Sequence, residues 1–184
     1  MSDDERRDIK ATLAGDGEAY ARLIRRYQDR VARRMWRFTR DPLELESLVQ
    51  TVFVEAYKSL GGFRGTGPLE HWLLRIATRV GYRFWKQRDR RRGREVSLGE
   101  YDPPGDVPDE PSGAADRLHA MLARLKPRDR LVLTLMYFED SSIAAIAEQT
   151  GWSESMVKVQ LHRARKRLKS LLDNATSGRN NTQR

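Results

Sequence analysis

Between Glu95 and Asp116 the chain carries seven acidic residues and four prolines but no Lys or Arg. Such a stretch cannot bury enough apolar surface to offset the entropy lost on ordering, so it reads as a flexible, partly extended linker. One continuous core across the 184 residues is thereby excluded, and each flanking part must build its own. Directly upstream the sign of the charge reverses. Arg83, Lys86, Arg88, Arg90, Arg91, Arg92 and Arg94 face Asp89 alone, the mark of an interaction surface.

Both flanks are helical by periodicity. In the first, Tyr20, Leu23, Ile24, Tyr27, Val31, Met35 and Phe38 recur at helical spacing behind Asp16, a good N-cap. A second stripe follows Asp41-Pro42, with Leu45, Leu48, Val49, Val52, Phe53, Ala56, Tyr57 and Leu60 on one face and Gly61-Gly62 as its stop signal. Pro68 opens a third, in which Leu69, Trp72, Leu73, Ile76, Ala77 and Val80 share a face that runs on into the basic cluster. Three stripes of this kind bury one another only as a small bundle, to which a short helix over residues 4–14 can add. The second flank begins with Leu118, Met121, Leu122 and Leu125, then restarts at Pro127 and continues through Leu131, Leu135 and Tyr137. Two shorter helices follow, and residues 173–184 read as a frayed polar tail. Strand-like alternation is missing from the sequence, so the expected fold class is all-α, two small helical domains joined by an acidic, Pro-rich linker.

Near the carboxyl end, Ile146, Ala147, Gly151 and Val157 have helix-turn-helix spacing. A small Ala147 lets two helices cross closely, Gly151 permits a left-handed turn, and Val157 packs the second helix on the first. Ser153 is placed to cap that second helix. Val157, Leu161, Ala164, Leu168 and Leu171 then face inward, while Ser155, Lys158, His162, Arg165 and Lys169 share the outside. A cationic outer face suits entry into a major groove, where Lys or Arg reads guanine edges and other charges meet phosphates.

On the third helix, Trp72, Tyr82, Phe84 and Trp85 alternate with Arg75, Arg79, Arg83, Lys86 and Arg88. Aromatic faces stack on unpaired bases and cations follow the backbone, which makes a single-strand surface. Trp72 belongs to the apolar stripe and Trp36 to the core, whereas Tyr82 and Trp85 lie off the stripe and are the base-contact candidates. The glycine-rich segment Leu60 to Pro68 lacks the Gly-Lys-Ser/Thr ending and the preceding strand of a P-loop, and fits a tight pocket for an extruded base. His71, His119 and His162 are scattered, read as surface residues, and have no cysteine beside them. No metal site, cofactor or catalytic triad is expected from this pattern.

Lys plus Arg number 35 against 26 Asp plus Glu, a formal net charge of +9, which favours a polyanionic partner. No apolar run approaches the roughly 20 residues that a bilayer span requires, and the start of the chain is acidic. The expected location is the cytoplasm.

With these residues in view, the chain resembles the extracytoplasmic-function sigma factors of bacterial RNA polymerase, which keep only sigma regions 2 and 4. The matching strings are Leu48-Val49-Gln50-Thr51-Val52-Phe53, Phe63-Arg64-Gly65 and Trp72-Leu73-Leu74-Arg75-Ile76-Ala77 in the first half. Ile146-Ala147 through Gly151 to Val157-Lys158, then His162-Arg163-Ala164-Arg165, follow in the second. The resemblance implies region 2 over residues 8–92, a linker over 93–116 and region 4 over 117–172. It further implies core RNA polymerase as partner, with Leu48, Gln50, Thr51 and Phe53 on the β′ clamp and region 4 on the β flap. Promoter DNA would be gripped at the minus-ten element by Phe63, Arg64, Gly65, Arg75, Arg79, Tyr82, Arg83, Trp85 and Lys86. Ser155, Lys158, His162, Arg163 and Arg165 would read the minus-35 element, and an anti-sigma factor is a further implied partner.

Ser47 stands where an acid is usual before the Leu-x-Gln string, Arg79 and Arg83 replace the usual Asn and Asp, and Ala145 replaces a Glu. Those at Ser47, Arg79 and Arg83 make the first half more basic, and the departures point to an altered promoter preference. Two rival readings are a helix-turn-helix regulator that binds its operator without polymerase and a nucleic-acid-modifying enzyme. The second would need an acid-base or metal site that the sequence does not display.

Overall fold

The computed structural model describes residues 1–97 and 113–180, and every regular element among them is helical. Two compact units are present, Met1–Trp85 and Lys86–Arg184. The acidic segment 98–112 lies outside the described residues, while helix takes in 93–97 and begins again at Ala114, positions that the charge pattern assigns to the linker.

The first unit contains α1 (Asp3–Leu13), α2 (Gly17–Met35), α3 (Pro42–Ser59), a single 3-10 turn (Leu60–Gly62) and α4 (Leu69–Ser97), which continues past the unit's end. Local chemistry starts the helices where the sequence predicts. Asp16 Oδ1 accepts from the amides of Glu18 and Ala19, and Asp41 Oδ1 accepts from Leu43 and Glu44 at 2.7 and 2.9 Å, with Pro42 supplying a preset first turn. The inward stripes of α2 and α3 pack together, with Leu23, Val31, Met35, Leu48 and Val52 all buried.

Helix α1 docks through acids, which hydrophobic periodicity could not reveal. Glu5 and Asp8 are buried, Glu5 accepting the Tyr27 hydroxyl proton and Asp8 accepting from Arg22 Nε at 2.8 Å. Burial and the Glu5 contact raise the Tyr27 phenol, and burial pushes Tyr20 up to about 12, where its hydroxyl donates to the Phe53 carbonyl at 2.5 Å.

Trp85 corrects the sequence reading. It is 3% exposed, its indole N–H donates to the Phe38 carbonyl at 2.7 Å, and its ring lies 4.5 Å from that of Phe38. The cause is Gly81, one turn earlier, where an added Cβ would meet the Phe38 ring at 2.4 Å. Phe38 sits after the end of α2 and fills the space that this glycine leaves. It therefore buries a second face of α4, about 100° round from the Leu73–Val80 stripe. Trp36, expected in the core, is instead exposed, with the Arg40 guanidinium 5.0 Å from its ring centre.

The second unit contains α5 (Ala114–Ala123), α6 (Pro127–Phe138), α7 (Ile143–Thr150) and α8 (Glu154–Asn180). Helix α6 is almost wholly buried from Asp129 to Leu135 and packs against α7 and α8. Its end differs from the predicted stripe, because Tyr137 is 56% exposed. Helix α8 is long rather than short and takes in residues 173–180 of the expected frayed tail, while 181–184 lie outside the described residues. His119 is half-buried against the Arg130 guanidinium at 2.8 Å, so it too departs from the expected surface position.

Candidate nucleic-acid interface

In the first unit, the chain between α3 and α4 is anchored by buried Leu60 and Leu69, leaving Arg64 to Pro68 exposed between them. Gly65 holds φ at +68°, a backbone conformation that favours glycine. Phe63 and Trp72 are half-buried with ring centroids 5.4 Å apart, so Trp72 belongs to an aromatic shelf beneath the loop rather than to the deep core. Such a shelf offers a π-face to an unpaired base.

Along α4, Arg79, Arg83 and Lys86 are exposed, while Arg75 and Tyr82 are half-buried. The structure thus gathers Phe63, Arg64, Gly65, Arg75, Arg79, Tyr82, Arg83 and Lys86 onto the loop and the helix that follows it, and removes Trp85 to the interior. Arg83 pairs with Glu55 of α3, which partly neutralises it.

On α3, Gln50 and Thr51 are exposed, but Leu48 and Phe53 are 8% and 6% exposed and cannot themselves touch a partner. The surface that sequence reasoning missed is apolar: Leu43, Val54 and Tyr57 are exposed on the same helix. Amphipathic periodicity hides them, because Tyr57 sits within the apolar stripe and Val54 follows the large core residue Phe53. The exposed positions Ser47, Gln50, Thr51 and Val54 recur at helical neighbour spacing, which makes one mixed polar and apolar strip.

The helix-turn-helix is built as its residues predict. Ser142 Oγ accepts from Ala145 N at 3.1 Å to start α7, and Gly151 ends it with φ +76°, its N–H donating to the Ala147 carbonyl at 2.9 Å. Ser153 Oγ accepts from Met156 N at 3.2 Å to start α8. Val157, Leu161 and Ala164 are buried, while Ser155, Lys158, His162, Arg163 and Arg165 are all exposed. Two more outward residues, Val159 at 51% exposure and Lys166, went unrecognised because the sequence reading took only the polar members of one stripe.

Helix α6 holds α8 from both flanks. Asp129, fully buried, accepts from Gln160 Nε2 at 2.5 Å and pairs with Arg167. Tyr137 Oη accepts from Arg165 Nε at 2.8 Å, and the guanidinium lies 5.7 Å from the Tyr137 ring centre. Arg167 is therefore a structural cation, whereas Lys158, His162, Arg163 and Lys166 remain directed outward.

Residues 23–91 match the description "Sigma-70 region 2", and residues 115–168 match "Sigma-70, region 4". The chain is similar to "RNA polymerase sigma factor YlaC" of Bacillus subtilis (strain 168), 31% identical over 153 residues that cover 80% of this chain and 88% of the relative. It is also similar to "ECF RNA polymerase sigma factor SigL" of Mycobacterium tuberculosis, 31% identical over 173 residues and covering 88% and 96% of the two chains. Among solved structures it resembles CnrH, seen in complex with the cytosolic domain of CnrY, at a TM-score of 0.58 and 25% identity, covering 94% of this chain and 99% of that one. Among the described residues, no helix is long and apolar enough to cross a membrane.

Proposed function

The chain belongs to the sigma-70 family, as an extracytoplasmic-function sigma factor directing transcription initiation, and from that premise we propose the following division of labour among its surfaces. Region 2 takes residues 8–92, the linker 93–116 and region 4 residues 117–172. The outward strip of α3, with Gln50 and Thr51 beside Leu43, Val54 and Tyr57, docks on the β′ clamp of core polymerase, and Leu48 and Phe53 support it from beneath. The loop from Leu60 to Pro68 holds a base extruded from the non-template strand of the minus-ten element over the Phe63–Trp72 shelf. Arg64, Arg75, Arg79, Tyr82, Arg83 and Lys86 follow that strand, and Trp85 contributes only by holding α4 in place.

In region 4, Ser155, Lys158, His162 and Arg163, joined by Val159 and Lys166, enter the major groove of the minus-35 element. The apolar surface of the same unit meets the β flap. The acidic linker, by its charge alone, suits a channel built for nucleic acid. The chain performs no chemistry itself, works in the cytoplasm, and is held in check by an anti-sigma protein, a reading supported by its likeness to CnrH with its bound partner.

The observation that supports this reading is the presence in one chain of two differently built surfaces, an aromatic-floored glycine loop suited to single strands and a basic helix of a helix-turn-helix suited to duplex. Run-off transcription with purified core polymerase, with and without this chain, tests it. Promoter-specific product only when both are present is expected. Firm operator binding by the chain alone, with no gain in transcription, would refute it.

A further inference from the structure

Tyr137 is exposed, lies outside both the predicted contact set and the core, and grips a cation on the recognition helix. A phenol hydroxyl has one proton to donate and lone pairs to accept. Here a lone pair is taken by Arg165 Nε–H, and the hydroxyl proton has no acceptor among the described residues. The bond from Nε–H to Tyr137 anchors the guanidinium at one N–H, and its two terminal amino groups remain as donors on an exposed side chain. Those groups and the Tyr137 O–H leave three or more donors beside α8, with no further hydrogen bond of either residue among the described residues.

That edge is not the reading face. Taking about 100° per residue, Arg165 lies roughly 100° round the helix from Lys166, the middle of the exposed side. Donors at the flank of a groove-bound helix meet the groove wall, which is sugar and phosphate.

We propose that Tyr137 and Arg165 form a clamp for one DNA backbone phosphate beside the minus-35 element, Tyr137 both donating to that phosphate and orienting Arg165. This inference rests on the assignment of α8 to the minus-35 groove, and it moves Arg165 from base reading to phosphate binding. A forked guanidinium held by a neighbour is suited to two phosphate oxygens at once.

The test uses holoenzyme made from the full chain and core polymerase, with a promoter duplex recovered by selection from a randomised library. Closed-complex affinity is measured across a range of KCl. Arg165→Ala is expected to weaken binding about tenfold, to lower the log-log salt slope by about one and to leave the preferred bases unchanged. Tyr137→Phe, which keeps the ring and loses the hydroxyl, is expected to cost about three- to tenfold with the thermal midpoint unmoved. Replacing single phosphates by neutral methylphosphonates should find one position where wild type loses affinity and neither variant loses more. A shift in the selected bases with Arg165→Ala, or wild-type affinity in both variants while Lys158→Ala is impaired, overturns the clamp and leaves groove reading intact. Wild-type affinity in Lys158→Ala and Arg163→Ala as well overturns groove reading, and the clamp with it.

Discussion

Gly81 is the most constrained small residue of the first unit, because any side chain there enters the Phe38 ring. Gly81→Ala must push that ring, and with it the Trp85 contact, out of place. A loss of about 1–3 kcal/mol is expected, read as a lower denaturation midpoint of the purified chain. Trp85→Phe keeps an aromatic ring but leaves the buried Phe38 carbonyl without its donor, which is expected to cost about 1–3 kcal/mol. Its closed-complex binding and promoter opening, measured below the melting range, should match wild type. Slowed opening with unchanged stability would return Trp85 to the DNA surface. The sequence did contain the signal: a glycine in a helix interior, one turn before a tryptophan, marks room kept for a ring from elsewhere. Periodicity alone could not show it, since it assumes one buried face per helix and Phe38 buries a second.

At the scale of the element, α6 governs how α8 is presented. Asp129→Ala removes the acceptor of Gln160 and Arg167 together and is expected to lower the stability of region 4 by about 1–3 kcal/mol. Arg167→Ala should cost less, because its side chain is half exposed while the carboxylate is fully buried. A calorimetric comparison of the two variants orders these effects. The contact of α1 and α3 with α2 has its own pH signature. Tyr20 and Tyr27 both have raised pKa values in the folded chain, so above about pH 10 the unfolded chain ionises first and releases protons that the folded chain keeps. Stability should therefore fall as pH rises from about 10 towards 12, and Tyr27→Phe should flatten that fall in melting curves recorded over this range. The helices themselves were legible, since Asp16, Asp41, Ser153 and Gly151 announce their boundaries. The acid clamps were not, because Glu5, Asp8 and Asp129 look like any solvated carboxylate until their partners are placed beside them.

For the whole molecule, the alternation of charge along the chain predicts competition between the acidic linker and DNA for the basic surfaces. Deleting residues 95–113 is expected to raise the affinity of the free chain for promoter duplex at low salt, with the difference vanishing as KCl rises. Equal affinity of the deleted and intact chains in a low-salt titration would dismiss the competition. Linear sequence decided the class of fold, the division into two helical parts and the motifs that name the family. Each of these follows from patterns within about one helix length, where spacing, capping and turn chemistry act on near neighbours. Only the tertiary structure decided which side chains of those motifs remain outside. Trp85 was drawn inward and Trp36, Leu43, Val54, Tyr57 and Tyr137 were left out, because burial depends on which distant element covers a face, and the sequence does not state that pairing.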